Sequence, residues 1–143
     1  MYTERQKLKI TTFMNIALEL KRLPTCNRAK VACIIIPSDF SQIFSIGFNG
    51  NFSGGPNECD NNEVGNCLCI HAETNAIAKF NPYNHNDCIL FSTLSPCINC
   101  AKLILNVGSI KTIIYHDKYR DLSGIELLKK HRKCYSYEEI LST

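Results

Sequence analysis

A histidine, a glutamate and two cysteines carry the most specific chemistry in this chain. "CIHAETNAIAKF", residues 69–80, puts His71 and Glu73 where an apolar helical pattern begins. "SPCINC" puts Cys97 and Cys100 at i and i+3, behind Pro96 and at the head of another helical pattern. In a helix's first turn the dipole and the free N–H groups favour thiolate over thiol. Two thiolates and a neutral imidazole balance the charge of Zn²⁺ and leave its fourth tetrahedral position open. That is the arrangement of a catalytic zinc, which acidifies a water molecule toward neutrality. Glu73, two residues after His71, does not share a helical face with it and is a poor co-ligand. From the first turn it is placed instead to take the water's proton and hand it to a substrate. Each motif alone is weak, because His-x-Glu is common and a reduced Cys-x-x-Cys is as often redox or structural. The weight comes from the two together, in this order, each opening a helix.

The elements that must position these residues are legible in outline. Ile10, Phe13, Met14, Ala17 and Leu20 recur at helical spacing over residues 4–22, with Thr3 and Gln6 as a capping box and Pro24 as the stop. "KVACIIIP" predicts a buried strand and "SQIFSIGFN" a second one, joined through "PSDF" as a hairpin. "GNFSGGPNECDNNEVGNC" is too polar for an element and long enough to be a functional or metal-pinned loop. A helix over 71–80, the strand "CILFST", the helix "PCINCAKLILNVG", the strand "IKTIIYH" and a helix over 121–132 follow, the last with Asp121 or Ser123 as cap. "KCYSY" predicts a final strand and "SYEEILS" a terminal helical turn. Strands alternating with helices give an α/β domain over residues 1–143, in three layers, α/β/α, around a mixed sheet of about five strands.

Composition bounds the reading. Apolar residues make up 45% of 143 positions, enough for one core and against global disorder. A net charge of +3 is too weak to argue for nucleic acid, although it suits a phosphate-bearing ligand. No apolar run is long enough to span a bilayer, and "MYTERQKLKITTF" lacks a signal peptide's apolar region, so the expected setting is the cytoplasm, away from membranes. Nine cysteines in a reducing compartment point to metal or catalysis before disulfides, and the odd count points the same way. Cys33, Cys88 and Cys134 lie in apolar runs and read as core. Cys26, Cys59, Cys67 and Cys69 surround the polar loop, where four thiols suit a Cys₄ structural zinc that pins it; the bland alternative is buried thiols.

His-x-Glu followed by Pro-Cys-x-x-Cys is the signature of the zinc nucleobase deaminases. The chain resembles the cytidine deaminase superfamily and, more closely, the deoxycytidylate (dCMP) deaminases. The matching stretches are "CNRAKVACIII", "GFNGNFSGGPNECDN", "CLCIHAETNAI", "FSTLSPCINCAKLI" and "IKTIIYHDKYRD", about three quarters of the chain. The resemblance implies hydrolysis of dCMP to dUMP and ammonia, which supplies dUMP for thymidylate synthesis. His71, Cys97 and Cys100 would hold the catalytic zinc. Glu73 would protonate N3 of the pyrimidine and then the leaving nitrogen. It also implies a second, noncatalytic zinc near the polar loop; with no histidine there, all-cysteine ligation is the reading. Asn49 matches the residue that holds the sugar hydroxyl. Ala72, Thr93 and Ser95 match the surfaces that read the pyrimidine edge. Arg28 and Lys30 are the cationic candidates for phosphate, and Tyr115 and Tyr119 are candidates to border base or phosphate. For each of these the alternative is a solvated charge or a core or rim aromatic.

Such enzymes are commonly hexamers, activated by dCTP and inhibited by dTTP with Mg²⁺ on the triphosphate. The resemblance puts that regulatory nucleotide on the loop holding Gly47, Asn49, Gly50 and Gly54. Two departures bear on this: Val31-Ala32-Cys33 replaces the usual "VGA", and Asn51 and Phe52 stand where smaller residues are frequent. His85 and His131 read as solvated, and His116 as a weak candidate for substrate contact. Two other readings stay open at this point. The same zinc chemistry serves deaminases of cytosine, cytidine, guanine or tRNA adenosine. A non-enzymatic zinc-stapled module is a different class, against which Glu73 argues, since a structural site needs no proton carrier.

Overall fold

The computed structural model describes residues 1–26, 29–57 and 68–143. Among these residues, five strands form one mixed sheet in the order β2-β1-β3-β4-β5. They are β1 (Ala32–Pro37), β2 (Ser45–Phe48), β3 (Cys88–Leu94), β4 (Ile110–Asp117) and β5 (Lys133–Ser136). β1 runs antiparallel to both β2 and β3, whereas β3, β4 and β5 are parallel. The helices are α1 (Glu4–Leu20), α2 (Ala72–Ala78), α3 (Ile98–Asn106), α4 (Ser123–His131) and α5 (Tyr137–Leu141), with a single 3₁₀ turn at Pro82–Asn84.

The near-continuous burial of β1, β3 and β4 follows from helices on both faces. Alternation then sorts each strand. Cys33, Ile35, Leu90, Ile113 and Tyr115 face the layer of α2, α3 and α4. Ile34, Ile36, Phe91 and Ile114 face Ile10, Met14 and Ala17 of α1 and Ile140 of α5. The three-layer expectation and the five-strand mixed sheet hold. Thr3 and Gln6 form the capping box, and a second one, from Ser136 and Glu139, starts α5.

Several boundaries are tighter than the sequence reading: β2 begins at Ser45 and not at Ser41, α2 ends at Ala78, and two helix ends have a visible cause. α1 stops at Leu20 and not at the residues before Pro24, because the chain tightens into i→i−3 bonds from Arg22 N–H to Glu19 and Leu23 N–H to Leu20. α4 starts at Ser123, where Asp121 accepts a hydrogen bond from the Ser123 N–H at 2.9 Å from just outside the helix.

Sheet register positions the site. Leu94 at the end of β3 lies beside Asp117 at the end of β4. The connection into α3 and the loop after β4 therefore leave the sheet side by side, as ligand-binding loops do at the carboxyl ends of parallel strands. The Ser95 N–H donates to Asp117 O at 2.8 Å, and Ser95 Oγ accepts from the Tyr119 N–H at 2.7 Å, which ties the two loops together.

Candidate active site

His71 is the N-cap of α2 and Cys97 the N-cap of α3; neither uses its side chain to cap the helix, so both are left for another partner. Cys100 lies in the first turn of α3. His71 Nδ1 is 3.6 Å from Cys97 Sγ and 3.4 Å from Cys100 Sγ. Ligand bonds of 2.3 Å to sulfur and 2.0–2.1 Å to nitrogen at the tetrahedral angle separate S and N by about 3.6 Å. The three donors are thus already spaced for one tetrahedral zinc, and among the described residues they form the cluster able to hold a metal. Burial, then the charges of Glu73 and Cys97, push the Cys100 thiol well up from its ordinary value. A divalent cation among the three donors reverses that preference, since it binds thiolate and not thiol. Thr74 Oγ1, 3.8 Å from Cys100 Sγ, adds a polar neighbour to the same sulfur.

Glu73 is only 4% exposed, an unusual burial for a carboxylate. Its hydrogen bond comes from Ser92 Oγ of β3, 3.0 Å from Oε1. Cys33 lies nearby: burial first, then the negative charges of Glu73 and Cys100, raise its thiol well above the ordinary value. That keeps it neutral beside the carboxylate.

These groups open onto a cavity of about 480 Å³ lined by Asn49, His71, Ala72, Glu73, Ser95 and Cys97, with Lys118, Tyr119 and Arg120 along its rim. That volume suits one small organic ligand. The other expected residues distribute as follows. Asn49 lines the cavity, but its amide also pins the strand beside it, accepting from the Val31 N–H at 2.8 Å and donating to Ala29 O. Ala72, Ser95 and Tyr119 line it as well. Thr93 does not; its hydroxyl accepts from the Ala32 N–H at 3.0 Å and joins β3 to β1. Tyr115 corrects the expectation of a cavity-wall aromatic. It is 1% exposed and packs in the core, because strand alternation turns it under α3 and α4. Lys30 donates to Pro24 O at 3.0 Å and is not part of the lining. Arg28, Cys59 and Cys67 lie outside the described residues, while Cys26 and Cys69 both line the cavity.

The glycines expected to bind a nucleotide also divide. Gly47 lies in β2, and a Cβ there would stand 2.3 Å from Ala72 O and 2.4 Å from Ala76 N, so its role is to let α2 sit on the sheet. Gly50 and Gly54 line a second concavity of about 170 Å³ with Asn51, Phe52, Asn75 and Lys79. The sequence reading missed Ser92, Lys118 and Arg120. The "DKYRD" stretch carried a signal for the two cations, since it follows a strand end; Ser92 carried none.

A family model described as the cytidine and deoxycytidylate deaminase zinc-binding region matches residues 7–117. The chain belongs to that family. It is 28% identical over 120 residues to the deoxycytidylate deaminase of Schizosaccharomyces pombe, covering 75% of this chain and 36% of the relative. It is 33% identical over 122 residues to that of Homo sapiens, covering 76% and 65%. The chain thus spans less than two thirds of the length of these curated relatives. The crystal structure of dCMP deaminase from the cyanophage S-TIM5, in complex with dCMP and dUMP, superposes with a TM-score of 0.80 at 28% identity, covering 95% of this chain and 99% of that one. For a member of this deaminase family, a His/Cys/Cys cluster with tetrahedral spacing makes zinc the metal of the site. No helix among the described residues is long and apolar enough to cross a membrane.

Proposed function

We propose that this chain is a zinc-dependent hydrolase that deaminates dCMP to dUMP and ammonia. The observation that carries this reading is a buried Glu73 beside a closely spaced His71, Cys97 and Cys100, on a cavity that Lys118 and Arg120 also line. The dCMP deaminase names of the relatives support the substrate. Zinc, when bound, supplies a water acidified enough to attack near neutral pH. The chain's own residues do the rest. Glu73 takes the water's proton and places it on N3 as oxygen adds to C4. It then carries the second oxygen-borne proton to the amino nitrogen, the C4–N bond breaks and ammonia leaves. Ala72 and Ser95 border the pyrimidine, Asn49 the sugar and Tyr119 the rim. Lys118 and Arg120, in place of Lys30, supply the charge for the 5′-phosphate, with Arg28 as a third cation.

The second zinc remains part of the reading, on Cys26, Cys59, Cys67 and Cys69; two of these, Cys26 and Cys69, face one cavity. Regulation by dCTP and dTTP with Mg²⁺, in a hexamer, belongs to it too. The concavity at Gly50 and Gly54, with Lys79 on its wall, has room for phosphates more than for a whole nucleotide.

The test is ammonia release and the ultraviolet change on dCMP, CMP, deoxycytidine and guanine, with and without dCTP, together with zinc analysis. Turnover on dCMP, raised by dCTP, with two zinc ions per chain is expected. Turnover only on another base overturns the substrate and keeps the zinc site. One zinc per chain removes the Cys₄ site.

A further inference from the structure

Ser92 sits where strand alternation asks for an apolar residue. Leu90 and Leu94 flank it on the same face of β3, and Cys33 of β1 lies opposite it in register. Its side chain is fully buried. A buried hydroxyl costs stability unless it is bonded, and this one has two acceptors within reach. Leu94 O is 2.6 Å away and Glu73 Oε1 is 3.0 Å away. A serine has one proton to give, so the two acceptors share it. The hydroxyl thereby joins the glutamate to the backbone that runs through Ser95 and Pro96 into Cys97.

We propose that Ser92 is a positioning residue for Glu73: it fixes Oε1 against the backbone that leads from β3 into Cys97 and leaves the other carboxylate oxygen to carry protons. A glutamate has three rotatable side-chain bonds, and Glu73 stands in the first turn of a short helix. It has to meet first the attacking water, then N3 and then the leaving nitrogen, without changing its anchor. Burial alone restricts the side chain but does not choose which oxygen faces the cavity. The Ser92 bond makes that choice. A misplacement of about 1 Å in such a group costs about 10²-fold in rate. This inference rests on the reading of Glu73 as the proton carrier.

The experiment compares the full chain with Ser92→Ala, Ser92→Thr and Glu73→Gln on whichever of the four substrates the parent turns over. Each protein is also assayed for zinc content and Tm. Ser92→Ala is expected to lower kcat about 10- to 100-fold with KM within about threefold, full zinc and a Tm lowered by only several degrees, since two acceptors lose their donor. Ser92→Thr keeps the hydroxyl and is expected to recover most of the loss; if the added methyl prevents folding, the alanine variant decides alone. A kcat for Ser92→Ala within twofold of the parent, while Glu73→Gln is inactive, overturns the inference and leaves the site reading intact. So does a loss of kcat that is matched by lost zinc or by an equal rise in KM. Turnover retained in Glu73→Gln overturns the site reading itself, and a parent inactive on all four substrates overturns both.

Discussion

Arg120 and Lys118 are exposed at the rim of the cavity, and the Arg120 guanidinium lies 5.6 Å from the centre of the Tyr119 ring. An aromatic under a guanidinium holds its planar fork in place, which suits bidentate contact with a phosphate. Arg120→Ala is therefore expected to raise KM for dCMP about tenfold, the equivalent of about 1.4 kcal/mol, and to leave deoxycytidine turnover unchanged. Steady-state kinetics on the two substrates decide it, and an equal loss on the nucleoside would assign Arg120 to the shape of the loop. The zinc ligands and Glu73 were legible because a metal demands fixed donor types at fixed helical spacing, and both are written locally. Ser92 and the two rim cations were not legible in the same way. Their importance depends on which strand ends lie side by side, and the pairing of Leu94 with Asp117 is a fact of register. Tyr115 misled for a related reason, since "YHDKYRD" contains two tyrosines and it is the end of β4 at Asp117 that separates the core one, inside the strand, from the rim one in the loop.

The elements hold the ligands by close backbone packing. Gly124, at the start of α4, lies against the turn that carries Cys97: a Cβ there would stand 2.1 Å from Pro96 O and 2.9 Å from the Cys97 carbonyl carbon. Neither atom belongs to a side chain that can swing away. Gly124→Ala is thus expected to destabilise the fold by about 1–3 kcal/mol, the usual range for overpacking, and to weaken zinc binding because the strain is relieved by moving Cys97. Thermal unfolding with and without a zinc chelator measures both effects. Gly108→Ala, where the added methyl meets nothing within 4 Å, is the control expected to change neither. Hydrophobic runs such as "ACIII" and "CILFS" made the strands legible, and the i→i+3/i+4 pattern did the same for the helices. The ends were less so. They depend on tightened turns, as at Arg22 and Leu23, and on side chains that cap from two residues before the helix, as at Asp121. Gly47 reads in the sequence as part of a nucleotide loop, and nothing in the sequence singles out Gly124 within the helix over 121–132. Their use as contact points between layers becomes visible only when α2 and α4 are docked.

At the scale of the molecule, thiols have two opposite dependences on pH. Cys97 and Cys100 must lose protons to bind zinc, so metal affinity falls in acid. The core cysteines behave the other way. Burial, helped by the charge of Asp87, raises the Cys88 thiol to about 11. Burial raises Cys134 to about 11 as well, with Lys129 opposing and Glu139 adding to the shift. Cys33, Tyr2 and Tyr115 are shifted upward, in each case with burial as the largest cause. In every case the folded state holds its proton more tightly than the unfolded chain. The stabilising contribution is therefore complete below the ordinary thiol value of about 9 and is lost as the pH rises toward about 11. Urea unfolding with a zinc chelator present, which removes the metal's own pH dependence, is expected to show level stability from pH 7 to about 9 and a decline from there toward 11. Cys134→Ala removes one source of that decline. It should lower stability at pH 8 by leaving a small cavity, and it should narrow the loss between pH 9 and 11 relative to the parent. An unchanged alkaline slope in this variant would show that the Cys134 thiol does not resist ionisation in the folded state, and the alkaline loss would then fall to the tyrosines and the remaining thiols.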